Sequence, residues 1–253
     1  MVKTVIVVNP AHAGLRPFVE DMARNGVPAE AELIYKGRNR IYRLKVDGIE
    51  LNIKAFRTPG AIKSHIYGSI PGKARRSYEN SMRLAELGFN VPEPLAYVEI
   101  RDGHRMKESY YVCRQIEARD VRRWENMPDN DALVHAVASL LASLHKAGVW
   151  HKDFSPGNVL YTGDARSGYK MYLIDVNRMK FGVTSRRSLM DNFRAINIVP
   201  EETERLARYY AAEMGFDPDR TALEALGVLH RFLRKKDILH ALKRIVKPRN
   251  KKK

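Results

Sequence analysis

The apolar pattern of this chain changes period once, near Ala118, and that change limits the fold more than any single motif does. Before it, apolar residues come in short alternating runs: "AELIYK", "RIYRLKV", "ELNIKAF", "PLAYVEI" and "SYYVCRQIE". Residues two apart share one face of a strand, so these runs read as five antiparallel strands. The short "GRN" joins the first to the second, Asp47-Gly48 the second to the third, and "RDGH" the fourth to the fifth. Asp-Gly between such runs is a strong hairpin signal. "KTVIVV" reads as a further strand and "LRPFVEDMARNG" as a short helix closed by Gly26. "RTPGAIKSHIYGSIPG" is a loop by its prolines and glycines, and "KARRSYENSMRLAELG" is a helix inserted after the third strand, stopped at Gly88. Beyond Ala118, "DALVHAVASLLASLHKAG" is a long apolar helix, "YKMYLIDV" is one short buried strand, and from Ser185 onward the period is helical. The order predicts an α+β chain: a β-rich lobe over residues 1–117 with a five-stranded antiparallel sheet and one inserted helix, a hinge near 115–120, and a mostly helical lobe over 118–253. Two such lobes suggest a ligand cleft between them.

With 253 residues and 44% apolar content the chain can bury one large core or two smaller ones. Its 45 Lys+Arg against 29 Asp+Glu give a net charge of +16, which favours anionic partners: nucleic acid, phosphate-bearing ligands or an anionic lipid surface. The single cysteine, Cys113, excludes an internal disulfide and is compatible with a reducing compartment. The opening "MVKTVIVVNPAH" is too short for a signal peptide, and the longest mostly apolar stretch, Ala132 to Leu144, is too short to span a bilayer. The expected location is the cytoplasm, with access to the membrane surface.

The stretch "WHKDFSPGNVLY", residues 150–161, places Asp153 five positions ahead of Asn158. Phosphoryl transfer needs a carboxylate at the acceptor hydroxyl, to orient it and take its proton, and oxygen ligands for Mg²⁺ on the phosphates. Taken alone, Asp153 and Asn158 are ordinary turn residues beside Pro156 and Gly157. Asp175 changes that balance. It ends the apolar "YLID", 22 positions after Asp153, where a carboxylate points out of the core. Lys54 in "LNIKAF" alternates onto the face of Asn52 and Phe56 and taken alone reads as a solvated strand residue; a nucleotide kinase needs a cation there for α- and β-phosphates, held by a carboxylate on the following helix. Glu79 is the preferred carboxylate and Glu86 a competitor. "YKGRNRIYRL" has one glycine, Gly37, so backbone amides of Gly37 to Asn39, with charge from Arg38 or Arg40, form at most a poor phosphate loop.

"LHKAGVWHKDFSPGNVL" resembles the catalytic segment of the protein-kinase-like fold, H-R-D-L-x-x-x-N, with Lys152 where arginine is usual and Phe154 where leucine is usual. "LIDVNR" resembles the D-F-G segment, with Asp175 kept and Val176-Asn177 in place of Phe-Gly. Within that fold the sequence is similar to the bacterial lipopolysaccharide kinase family, which phosphorylates Kdo or heptose sugars of the lipopolysaccharide inner core. The similarity runs over roughly residues 30–200 and is strongest in the catalytic loop. It implies a protein-kinase-like bilobal fold and an ATP- and Mg²⁺-dependent phosphotransferase acting on a lipid-linked sugar hydroxyl at the cytoplasmic membrane face. It also implies Asp153 as catalytic base, Asn158 and Asp175 as Mg²⁺ ligands, and Lys54 paired with Glu79 at the phosphates. Arg114, Gln115 and Ile116 would contact adenine through backbone groups. The missing D-F-G glycine and the absent A-P-E motif argue against a regulated protein kinase and fit a small or lipid-linked acceptor.

His151 is expected to brace the catalytic loop rather than act as a base. His145 and His151 lack the partner set of a zinc site, and Cys113 is expected to be a buried small hydrophobe. The last stretch, residues 231–253, carries eleven Lys/Arg and one acid, with Ile238, Leu239, Leu242, Ile245 and Val246 on one helical face. It reads first as a terminal helix packed on the domain. The functional reading is attraction to anionic lipid headgroups, about 1 kcal/mol per basic residue near the surface. Nucleic acid is set aside, because no RNA-reading module accompanies the charge. Two alternatives remain: a protein or small-molecule kinase of the same fold, and a non-catalytic kinase-like binding module. Retention of Lys54, Glu79, Asp153, Asn158 and Asp175 together speaks against the module.

Overall fold

A computed structural model describes residues 1–58, 70–128, 130–196 and 199–246. Most of the loop expected at "RTPGAIKSHIYGSIPG" and the end of the basic tail lie outside the described residues. The chain forms two compact units, one of Met1–Ala118 with the returning segment Tyr172–Arg178, the other of Arg119–Met171 with the chain from Met179 on.

The first unit is built on a six-stranded antiparallel sheet. Its strands are β1 (Val2–Val8), β2 (Glu32–Lys36), β3 (Arg40–Val46), β4 (Ile49–Ala55), β5 (Pro94–Asp102) and β6 (Arg105–Arg114), in the order β1-β5-β6-β4-β3-β2. The five expected strands are present, and β1 adds a sixth along β5, from Val2 opposite Asp102 to Val8 opposite Ala96. Both faces of the sheet are covered, by α1 (Arg16–Asn25) on one side and α2 (Lys73–Glu86) on the other. Ile6 and Val8 join Val19, Met22, Ile53 and Val112 on the first face, while Val5 and Val7 pack with Tyr78, Tyr97 and Tyr111 on the second. A strand apolar on both faces shows no alternation, which is why "KTVIVV" gives no sign of its partner. Gly26, at φ 84, ends α1 as expected, its N–H donating to the Met22 carbonyl.

The start of α2 is fixed by one residue without a side chain. A Cβ on Gly72 would lie 1.9 Å from Oε1 of Glu99, a buried carboxylate that receives the Arg75 N–H at 3.4 Å and pairs with Arg101 at 3.1 Å. Glu99 thus caps a helix whose N-cap residue has no side chain to do so.

The second unit is mostly helical. Helix α3 (Asp131–Lys146) buries Leu133, Val137, Leu141 and Leu144, and α5 (Pro200–Met214) buries Leu206, Ala207, Tyr210 and Ala211. Short strands β7 (Arg119–Asp120), β9 (Val159–Asp164) and β10 (Gly168–Leu173) form one small sheet. Strands β8 (Val149–His151) and β11 (Met179–Phe181) form another. The short α4 (Arg186–Met190) precedes α5, and α6 (Pro218–Val246) follows it. The first half of α6 is anchored by Thr221, Ala222, Ala225 and Leu229, all buried, but Ile238 and Leu239 are exposed. The expectation that the basic helix packs along its apolar face therefore fails at these two positions. Among the described residues no helix is long and apolar enough to cross a membrane.

Candidate active site

In the second unit the catalytic loop leaves β8 at His151, which is fully buried. The Asp153 N–H donates to His151 Nδ1 at 3.1 Å and the Phe154 N–H to the His151 carbonyl at 3.2 Å. Because Nδ1 accepts, the neutral ring carries its proton on Nε2. His151 thus braces the loop, and its burial keeps it from serving as a base for a substrate. Asn192 Nδ2 donates to the His151 carbonyl at 2.7 Å, and the Arg194 guanidinium donates to the Lys152 carbonyl. Asn158 Nδ2 donates to the Asp153 carbonyl at 2.8 Å. Asp153 and Asn158 are therefore held together through main chain and amide. The donation fixes which end of the Asn158 amide is nitrogen and turns Oδ1, the atom a hard cation takes, away from that carbonyl.

His145, on α3, lies beneath this loop in a buried network. Its Nδ1 meets the Tyr210 hydroxyl at 2.8 Å and its Nε2 meets Asn192 Oδ1 at 2.9 Å. Burial pushes the imidazole down to about 4, against a smaller upward pull from Asn192. The ring is neutral at pH 7, with Nε2 donating to the same asparagine that holds His151.

In the first unit, Lys54 Nζ lies 2.7 Å from Asp175 Oδ1, an ion pair with both partners largely shielded from solvent. Asp175 has a φ of 56, a left-handed conformation that aspartate adopts more readily than most residues. Asn177 Nδ2 donates to Asp175 Oδ1 at 2.6 Å, and Asn80 on α2 donates to the Val176 carbonyl at 2.7 Å. Glu79, expected on Lys54, is not its partner. Glu79 pairs with Arg75 at 2.7 Å, one turn back on the exposed face of α2. The helix buries Ala74, Ser77, Tyr78, Ser81 and Leu84, so position 79 faces outward and Asn80 takes the flank toward the returning segment. Glu86 is exposed too.

Two other expectations change in detail. The Gly37 N–H donates to the Asn39 carbonyl at 3.0 Å, so this amide is spent inside the β2–β3 turn. The N–H groups of Arg114 and Gln115 donate to the carbonyls of Glu93 and Glu50 at 2.9 and 2.8 Å, and Gln115 Nε2 takes the Ile116 carbonyl at 2.9 Å. These groups extend the sheet rather than standing ready for a purine. The Arg114 side chain pairs with Glu93 at 2.8 Å, and His12 meets the other Glu93 oxygen at 2.6 Å. Burial pulls the Glu93 carboxyl upward, but the hydrogen bonds from His12 and Arg114 outweigh it and leave it below the usual carboxylate range. Cys113 is buried, and burial pushes its thiol up to about 12, so it is inert at neutral pH. Among the described residues no three of His, Cys, Asp or Glu gather into a metal-binding group.

A family model described as "Lipopolysaccharide kinase (Kdo/WaaP) family" matches residues 71–210, more than half of the chain. No curated protein sequence matches. Among solved structures, one titled "WaaP in complex with acyl carrier protein" is similar at 21% identity, covering 93% of this chain and 99% of that one, with a TM-score of 0.63. An aminoglycoside-3'-phosphotransferase of type VIII is similar at 18% identity over 87% of this chain and 100% of its own, with a TM-score of 0.56. At these identities the likeness shows a shared protein-kinase-like fold.

Proposed function

The chain belongs to the lipopolysaccharide kinase (Kdo/WaaP) family and is a phosphotransferase, and from that premise we propose that it transfers the γ-phosphoryl group of ATP, with Mg²⁺, to a sugar hydroxyl of a lipopolysaccharide core precursor at the cytoplasmic membrane face. The observation that carries this reading is the 2.7 Å pair of Lys54 and Asp175, brought together from distant parts of the chain. Asp153 orients the sugar hydroxyl and takes its proton as the oxygen attacks the γ-phosphorus; the bond to the bridging oxygen breaks and ADP leaves. Lys54 binds the α- and β-phosphates. Asn158 Oδ1 and the Asp175 carboxylate are oxygen donors of the kind magnesium takes, and Mg²⁺ when bound supplies neutralisation of phosphate charge. The backbone around Arg114 to Ile116 marks the adenine end, read through groups other than the N–H of Arg114 and Gln115. The exposed Ile238 and Leu239 on a basic helix support peripheral contact with anionic lipid.

ATP with Mg²⁺ should raise the melting temperature, and Asp175→Ala should remove the metal-dependent part of that rise. Asp153→Asn should bind nucleotide as the native protein does and transfer nothing to lipopolysaccharide acceptor. A native protein that gains no stability from ATP, or a deletion strain whose lipopolysaccharide keeps its full phosphate content, would overturn the reading.

A further inference from the structure

Lys73 occupies an energetically poor place for a cation. It is the first residue of α2, where the unpaired amides present partial positive charge. The first turn holds Lys73, Arg75 and Arg76 and no acid. Arg75 is neutralised by Glu79, but among the described residues neither Lys73 nor Arg76 makes an ion pair. Lys73 is also half-buried. Its ammonium lies 5.7 Å from the centre of the Phe56 ring, and that of Lys54 lies 5.3 Å from the same centre. Burial depresses the Lys73 ammonium, and Arg38, Lys54 and Arg76 depress it further; Asp175 pulls it the other way. That carboxylate already serves Lys54 and Asn177. The Phe56 face and Asp175 both favour the charge, but among the described residues no carboxylate pairs with it, so it stands ready for an anion from outside them.

The register of the sheet says which anion. Leu51 of β4 lies opposite Arg114, at the end assigned to adenine, and Ala55 lies opposite Arg40. Strands rise about 3.3 Å per residue, so Lys54 stands roughly 10 Å along β4 from that end. Arg38 lies in the β2–β3 turn, beyond the Arg40–Ala55 pair. A nucleotide laid from Arg114 past Lys54 brings its last phosphate toward Arg38 and Lys73.

We propose that Lys73, with Arg38, forms a second phosphate subsite beside Lys54, which takes the terminal phosphate of the nucleoside triphosphate and the charge on that group during transfer. The proposal rests on the function argued above and adds to it a residue that distinguishes triphosphate from diphosphate. Lys54 holds the part of the nucleotide that ADP and ATP share, whereas Lys73 holds the part that only ATP has.

The test compares calorimetric binding of ADP and of a non-hydrolysable β,γ-imido triphosphate, each with Mg²⁺, to the native protein, Lys73→Met and Lys73→Arg, alongside the ligand-free melting temperature of each. Met keeps the length and apolar stem, so Lys73→Met should melt no lower than native. It should bind ADP within about threefold of native and lose about tenfold or more in affinity for the imido triphosphate, the scale of one charge-assisted hydrogen bond. Lys73→Arg should recover most of the loss. Equal loss of both nucleotides, an unchanged imido-triphosphate affinity, or a large fall in melting temperature would overturn the subsite while leaving the kinase reading intact. A native protein that binds neither nucleotide would overturn both.

Discussion

Acid should loosen the second unit through His145 before it reaches most carboxylates. The imidazole titrates at about 4 in the fold against an ordinary 6.5, because burial strips solvent from the charged form and outweighs the smaller upward pull of Asn192. A histidine depressed in the folded state binds its proton more readily when unfolded. The stability tied to the neutral ring is therefore fully present above pH 6.5, falls as the pH drops through that value, and is gone below about 4. A difference of about 2.5 units corresponds to roughly 3 kcal/mol at the limit, and about 2 kcal/mol of it is lost between pH 7 and pH 5. The assay is urea unfolding of the native protein and His145→Gln at pH 7, 6 and 5. Gln can still donate toward Asn192 but has no proton to gain, so its curve should be flatter by about 2 kcal/mol over that interval. Surface carboxylates contribute equally to both proteins and cancel. Because Asn192 also holds the His151 carbonyl, phosphoryl transfer should fall in the same pH range in the native protein more than in the variant. Parallel stability curves for the two proteins would refute the argument, since they would mean that the ring is solvated or charged in the fold.

Three further outcomes follow from the geometry. Glu79→Ala removes an exposed pair one helical turn apart, worth about 0.3–0.5 kcal/mol, and should leave phosphoryl transfer within about twofold of native. Asn80→Ala breaks the bond to the Val176 carbonyl, should cost about 1 kcal/mol, and should slow transfer more than Glu79→Ala does; the reverse order would restore Glu79 as the partner of Lys54. In sedimentation with vesicles containing anionic lipid, the double substitution Ile238→Asp and Leu239→Asp should release the protein, and undiminished binding would remove this face from the membrane reading.

The fold was legible wherever local pattern and tertiary role agreed. The hairpins around Asp47-Gly48 and "RDGH" were readable because alternation, turn chemistry and pairing between neighbouring runs are all local. The place of β1 was not, because it pairs with a strand about 90 residues later and is apolar on both faces, so nothing in its own sequence states which edge it joins. The basic helix showed the opposite failure. Its apolar face was visible, but the pattern of a packed face and that of a face left in solvent are the same in sequence.

The site divides along a similar line. Asp175 was readable because a carboxylate ending an apolar strand is unusual on its own; its pairing with Lys54 was not, because the sequence offered Lys54 a carboxylate on the following helix instead. The choice of Glu79 failed because position 79 lies on the outer face of α2, where it meets Arg75. A helix turns 100° per residue, so an error of one residue in its phase moves a side chain from the inner flank to the outer face. Asn80 was passed over for a related reason, since an amide that holds a main-chain carbonyl looks like any polar residue until the carbonyl it meets is known. Lys73 carried a signal that could have been used: a lysine opening a helix that has no acid in its first turn contradicts the helix dipole. Such a contradiction tells more about function than agreement does, because folding alone gives no reason to keep it.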